Sequence, residues 1–233
     1  MTPDPILLRV EQPPECRTCG AGAPVDEHFC PSCSRILALG RHGDYFAFLG
    51  LPRQLLLDPQ ELERRFRDLS RKFHPDYYYN ATTTERLASL ERSSYLNDAY
   101  RALRNPVSRA EHLLAIEGFP MGKADEGASK VPPSLLEEVF ELNEELDAIR
   151  ELREAGTPAE RLRPRLESAK APIEARRQAH EQRMHALSER WDRRTGDEAE
   201  RKEILDALRE QLLERNYINN LLATIEREAA AHG

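Results

Sequence analysis

Residues 64–76 read RRFRDLSRKFHPD, and the way this stretch has to stop decides the fold. Leu62, Phe66, Leu69 and Phe73 recur at steps of four, three and four, so one helical face is apolar. At roughly 100° per residue, Arg64, Arg67 and Arg71 fall on the opposite face. Pro75 cannot continue the helix, and it biases His74 away from the α region. The helix therefore ends in a turn that carries an imidazole and, at Asp76, a carboxylate. A cationic face closed by a rigid polar turn suits docking onto an acidic partner surface.

Working outward, Asp58-Pro59 reads as an N-cap followed by a first-turn proline. Before it, DYFAFLGL from Asp44 is a short apolar segment. After it, residues 77–84 form a polar, aromatic loop, and a helix is expected over 85–104 with Leu96, Ala99, Tyr100 and Leu103 on one face. Asn105-Pro106 breaks that helix, and residues 107–117 make a short one carrying Leu113 and Leu114. Residues 119–133 hold Gly, Lys, Ser and Pro with few apolar groups, a linker. Three helical patterns follow, starting at Ser134, at about residue 159 and at about residue 197. Pro172 lies inside the second and should kink or split it. Short connections between long helices imply an antiparallel three-helix bundle. No internal repeat is evident.

The whole chain of 233 residues carries 34 Lys and Arg against 41 Asp and Glu, a net charge of −7. That balance argues against nonspecific nucleic-acid binding. Charged residues make up 32% and aromatics 6%, a mixture that favours helices over sheets. No stretch approaches the roughly 20 apolar residues of a membrane span. The opening MTPDPILLRVEQPPE has prolines and acids where a secretory or transit signal would be cationic, so a cytoplasmic, bacterial protein is expected.

All four cysteines fall in two knuckles, Cys16-Arg-Thr-Cys19 and Cys30-Pro-Ser-Cys33. Paired CxxC motifs at this spacing supply four thiolates for a structural Zn²⁺, and the module around them is too poor in apolar residues to fold by burial alone. An iron site with the same ligands stays open. A redox CxxC would usually open a helix in a βαβ unit, and that pattern is missing here. His28 lies between the knuckles and is not needed as a ligand.

In the first C-terminal helix Leu135, Val139, Leu142, Leu146 and Ile149 form a bundle seam. Leu136 and Phe140 lie off it, among Glu137, Glu141 and Glu144. On the last helix Ile218, Leu222 and Ile225 make the seam and Tyr217 points away from it. Such a set is either a protein-binding patch rimmed by carboxylates or a widening of the core.

The stretch at 64–76 resembles helix II and the signature loop of J-domain (DnaJ-like) co-chaperones. LNDAYRALRNPVSRAEHLLAIEG at 96–118, followed by SLLEEVFELNEELDAIRE at 134–151, is similar to the HscB family of iron–sulfur cluster assembly co-chaperones, some of which carry an N-terminal tetracysteine module. The resemblance implies an all-α protein. Its parts would be a lead and zinc module at 1–40, a J-domain at 41–118, a linker at 119–133 and a scaffold-binding three-helix bundle at 134–233. It implies that Arg64, Arg67, Arg71, Lys72, His74, Pro75 and Asp76 face a heat-shock-cognate (HscA/DnaK-type) ATPase. Leu136, Glu137, Phe140, Glu141, Glu144 and Tyr217 would face an iron–sulfur scaffold protein (IscU-type). Tyr77, Glu137 and Tyr217 depart from the residues common at those positions in the family. A general J-domain adaptor for other clients, or a thiol-redox enzyme built on the cysteines, are the competing readings. Nothing resembles a phosphate loop or a nucleophile–base set, so the chain is expected not to be an enzyme, and to bind neither nucleic acid nor membrane.

Overall fold

The computed structural model describes residues 15–40, 42–121, 135–194 and 196–230. The expected lead, most of the expected linker and Ser134 lie outside these. The chain divides into two compact units, Met1–Pro120 and Met121–Gly233. Among the described residues there is no strand, only two isolated antiparallel bridges, Glu15 with Gly22 and Phe29 with Ile36.

In the first unit four helices follow the apolar periodicities. Helix α1, Tyr45–Leu49, is capped by Asp44 and stopped by Gly50, whose φ of 62° lets the amides of Gly50 and Leu51 close back on Ala47 and Phe46. Helix α2, Pro59–Phe73, starts at the Asp58 cap and buries Leu62, Leu69 and Phe73. Phe66 is half-buried and stacks on Tyr100 at 4.2 Å. Helix α3, Thr83–Arg104, begins two residues before the expected 85. Thr82 and Glu85 exchange side-chain and backbone hydrogen bonds in a capping box that fixes the start. Its Leu96, Ala99 and Leu103 are buried against α2 and α1, with Tyr100 at the margin. Asn105 ends α3 and caps α4, Pro106–Ile116, where Leu113 and Leu114 are both fully buried.

Ahead of α1, residues 15–40 form a small ribbon whose buried cluster is Cys16, Ala23, Cys30 and Leu37. The two knuckles share one backbone plan fourteen residues apart. Cys16 N–H donates to Ala21 and Gly20 N–H to Cys16; Cys30 N–H donates to Arg35 and Ser34 N–H to Cys30, each at 2.8 Å. Gly20 and Ser34 both take the left-handed conformation, at φ 72° and 58°. This short repeat is conformational: a serine occupies the position where the first knuckle has glycine.

The second unit consists of α5, Leu136–Glu154, α6, Ala159–Arg193, and α7, Glu198–Ala230. The expected seam is its core, with Leu135, Leu142, Leu146 and Ile149 buried against Leu162, Leu166, Ile173, Ile218, Leu222 and Ile225. Pro172 does not split α6. It removes one helical hydrogen bond, but Leu166 and Ile173 anchor the chain to the core on both sides of it. Further along, Trp191, Ile204, Leu205 and Leu208 are fully buried, and His180 Nε2 donates to the Gln211 carbonyl at 2.7 Å.

Candidate functional site

The turn after α2 is built as its sequence demands. His74 leaves the helix at φ −58° and ψ 125°, and Pro75–Tyr78 continue as one turn of 3₁₀ helix rather than as open loop. His74 Nδ1 accepts from the Asp76 amide at 3.3 Å, the Tyr77 amide donates to the His74 carbonyl at 3.0 Å, and Tyr78 Oη donates to the Lys72 carbonyl at 3.0 Å. These bonds fix the backbone while leaving the reactive groups in solvent. Asp76 keeps 86% of its side chain exposed.

The basic face of α2 is less bare than the arginine count suggests. Arg64 pairs with Glu61 at 2.6 Å, Arg67 with Glu63 at 2.8 Å and Arg71 with Asp68 at 2.6 Å. Hydrogen bonds from Arg65 and Arg64 hold the Glu61 carboxyl below its ordinary range. The helix carries five basic and three acidic side chains, so its net charge is +2. Exposed i,i+3 and i,i+4 pairs are worth only about 0.3–0.5 kcal/mol each and exchange readily with a partner's acids. Beside this face an open groove of about 790 Å³ runs between Leu57, Leu62, Arg67 and Tyr100.

The four thiols converge, with one sulfur from each cysteine lying within 4.8 Å of the others. The close pairs cross between the knuckles, Cys16–Cys33 and Cys19–Cys30, both at 3.7 Å. A tetrahedral ion with metal–sulfur bonds of about 2.3 Å requires sulfur–sulfur edges of about 3.8 Å, so the donor set fits a four-thiolate metal. Its electrostatics point the same way. Backbone amides of Cys19 and Thr18 bring the Cys16 thiol down to about 6. Cys33 is pushed up to about 12 by burial and its neighbouring sulfurs, against the pull of the Arg35 amide. Thiols this close ionise together only when a cation compensates them. His28 is no part of the cluster; its ring packs edge-on against Phe48 and Phe73 at 4.9 and 5.0 Å.

On α5 the residues off the seam are exposed. Leu136 and Phe140 are 55% and 64% exposed, and Glu137, Glu141 and Glu144 surround them in solvent. These five residues span about 140° of the helix circumference, opposite the buried seam. Tyr217 differs. It is half-buried against the bundle core together with Val139 and Leu221, so it offers an edge where a free ring was expected.

One important residue escaped the sequence reading. Arg92 is 1% exposed and donates to the carbonyls of Leu37, Glu27 and Ala38 and to His28 Nδ1. Burial, with Arg92 nearby, pushes His28 down to about 4, so the ring is neutral and its Nδ1 is an acceptor. A signal was available: Arg92, Leu96, Ala99 and Leu103 step by four, three and four along the buried face of α3.

Residues 44–112 match the family described as the DnaJ domain. Most of the chain resembles two solved structures. One is human co-chaperone protein HscB, with 24% identity, a TM-score of 0.66, and 91% of this chain and 97% of that one covered. The other is chaperone HscB from Vibrio cholerae, with 28% identity, a TM-score of 0.57, and 79% and 96% covered. The chain therefore carries a DnaJ domain, and its succession of helices, with a four-cysteine cluster ahead of them, is similar to that of the HscB structures.

Proposed function

We propose that this HscB-like co-chaperone binds an iron–sulfur scaffold protein through its helical bundle and hands it to a heat-shock-cognate (HscA/DnaK-type) ATPase, whose hydrolysis it stimulates. The observation that carries this reading is the exposed His74-Pro75-Asp76 turn inside the DnaJ-domain match. The +2 helix α2 steers the J-domain to an acidic surface, the partner's carboxylates replacing Glu61, Glu63 and Asp68 in the arginine pairs. Arg64, Arg67, Arg71 and Lys72 supply that attraction. His74 and Pro75 hold Asp76 forward, free to accept an arginine of the ATPase. On this reading the chain acts as an activator of the partner's hydrolysis and not as an enzyme.

For the client, Leu136 and Phe140 form an apolar anchor of the kind that dominates interfaces, with Glu137, Glu141 and Glu144 as its charged rim. Tyr217 adds contact only at its exposed edge. Zn²⁺ is the ion the four thiolates of Cys16, Cys19, Cys30 and Cys33 favour, and when bound it supplies a structural cross-link. The chain works in the bacterial cytoplasm on this reading; no described helix is long and apolar enough to cross a membrane.

Two measurements test the two hands separately. Asp76→Asn should abolish stimulation of the ATPase while leaving scaffold affinity intact; stimulation that survives it overturns the trigger. Phe140→Ala and Leu136→Ala should each weaken scaffold binding by calorimetry at least tenfold, about 1.4 kcal/mol. Parent-like affinity in both removes the patch.

A further inference from the structure

The ribbon and the chaperone-facing turn meet at one buried cation. The Arg92 guanidinium donates from Nε to the Leu37 carbonyl at 2.7 Å, from Nη1 to His28 Nδ1 at 2.7 Å, and from Nη2 to the carbonyls of Ala38 and Glu27 at 3.0 and 3.1 Å. Every one of these acceptors belongs to the ribbon. No carboxylate pairs with this charge in these contacts, so its burial depends on the ribbon keeping those acceptors in place.

The same ribbon residues cover the end of α2. His28 packs edge-on against Phe73 at 5.0 Å, and Phe29 lies 6.0 Å from the same ring. Phe73 is fully buried and immediately precedes His74. Its carbonyl receives the hydroxyls of Ser89 and Ser93, at 2.6 and 2.9 Å, from the turns of α3 on either side of Arg92. Arg35, two residues after Cys33, pairs at 3.0 Å with Glu85, the residue that closes the capping box at the start of α3. The ribbon therefore touches both helices that flank the turn. Its own buried cluster is little more than its cysteines, Ala23 and Leu37, too small to hold this geometry without a cross-link.

We propose that metal ligation at the four cysteines sets the order of the His74-Pro75-Asp76 turn, with Arg92 as the positioning residue that carries the coupling. This rests on the reading of that turn as the trigger of the ATPase. Metal loss releases residues 27–38, strands the Arg92 charge and uncovers Phe73, so the end of α2 frays where the partner must bind. Coupling of this kind is reciprocal, so Arg92 also strengthens metal binding.

The test uses the full chain, loaded with one equivalent of Zn²⁺ or stripped with a chelator under reducing conditions, and reads amide hydrogen exchange by segment. On stripping, residues 70–80 should exchange at least about tenfold faster, reversibly on adding Zn²⁺, while residues 198–230 stay unchanged. In Arg92→Gln the exchange of 70–80 should no longer respond to Zn²⁺, although residues 16–37 still do; a merely structural arginine would change the rate but leave the response. Equal protection of 70–80 in loaded and stripped parent chain overturns the proposal, as does a zinc response that survives in Arg92→Gln. If that variant fails to fold, the parent comparison decides alone. ATPase stimulation measured on the same samples separates the two readings: a loaded parent chain that does not stimulate overturns the trigger assignment and leaves the exchange result to decide the coupling.

Discussion

The turn at 74–76 and the outer face of α5 are both held out in solvent, by different means. Around the turn, three hydrogen bonds fix the backbone and a fully buried Phe73 anchors it, with His28, Phe29 and Phe48 packed around that ring. Its presentation depends on four separate elements. The α5 face depends on none: Leu136 and Phe140 are exposed because the helical repeat puts them opposite Leu142, Leu146 and Ile149. A surface made by tertiary packing can be tuned by anything that touches its supports. A surface made by helical register is present whenever the helix is.

Deleting the same ring in the two places gives the sharpest contrast. Phe73→Ala should destabilise the first unit by about 3–5 kcal/mol in a urea melt, because its ring is fully enclosed. Phe140→Ala should shift the second unit by less than about 0.5 kcal/mol. A loss above about 2 kcal/mol for Phe140→Ala would mean that the ring is packed and the comparison is wrong.

Acid should weaken the first unit through His112. Its Nε2 accepts the Tyr45 amide at 3.0 Å and its ring stacks on Tyr45 at 4.3 Å. Burial pushes this imidazole down to about 4, with Asp44 opposing and Arg53 assisting. The folded form thus resists a proton that the unfolded chain accepts near 6.5. The stabilisation is complete above that value and is lost as pH falls toward 4. Screening at a partly exposed ring leaves roughly 2 kcal/mol of it. His112→Gln should reduce, without abolishing, the first unit's slope between pH 6.5 and 4, because His28, also pushed down to about 4, keeps its own share. A parent-like slope in that variant would remove His112 as the source.

What could be read from the residues alone follows the same divide. Stripes at helical spacing revealed α2, α3 and the bundle seam, and Asp58-Pro59, Asn105-Pro106 and Pro75 marked ends where the structure has them. The thiol cluster was legible because CxxC spacing is a local constraint. The exposure of Phe140 was only half legible, since spacing placed it off the seam without excluding a wider core. Arg92 was hidden because its acceptors are more than fifty residues away and all but His28 Nδ1 are backbone atoms, which carry no residue signature. The arginine pairing was legible and passed over: Glu61, Glu63 and Asp68 stand three or four residues from their partners. Of the two outcomes expected at Pro172, a kink or a split, the structure excludes the split: α6 runs on through it, with Leu166 and Ile173 in the core on either side.

Ser34 carries the smallest effect and bears on the ribbon as a support. Among the described residues it is the one non-glycine with positive φ, at 58°, and its counterpart in the first knuckle is Gly20. A Cβ in this conformation costs roughly 1 kcal/mol, partly recovered because glycine leaves the unfolded chain more entropy to lose. Ser34→Gly should therefore stabilise the ribbon by roughly 0.5 kcal/mol and bind Zn²⁺ slightly tighter in competition with a chromogenic chelator. Weaker zinc binding would mean that the serine hydroxyl contributes more to the second knuckle than its backbone strain removes. If the ribbon supports the turn through Arg92, the gain at Ser34 should also slow exchange at 70–80, in a segment Ser34 does not enter. The α5 face has no supporting element through which an equally distant substitution could act on it.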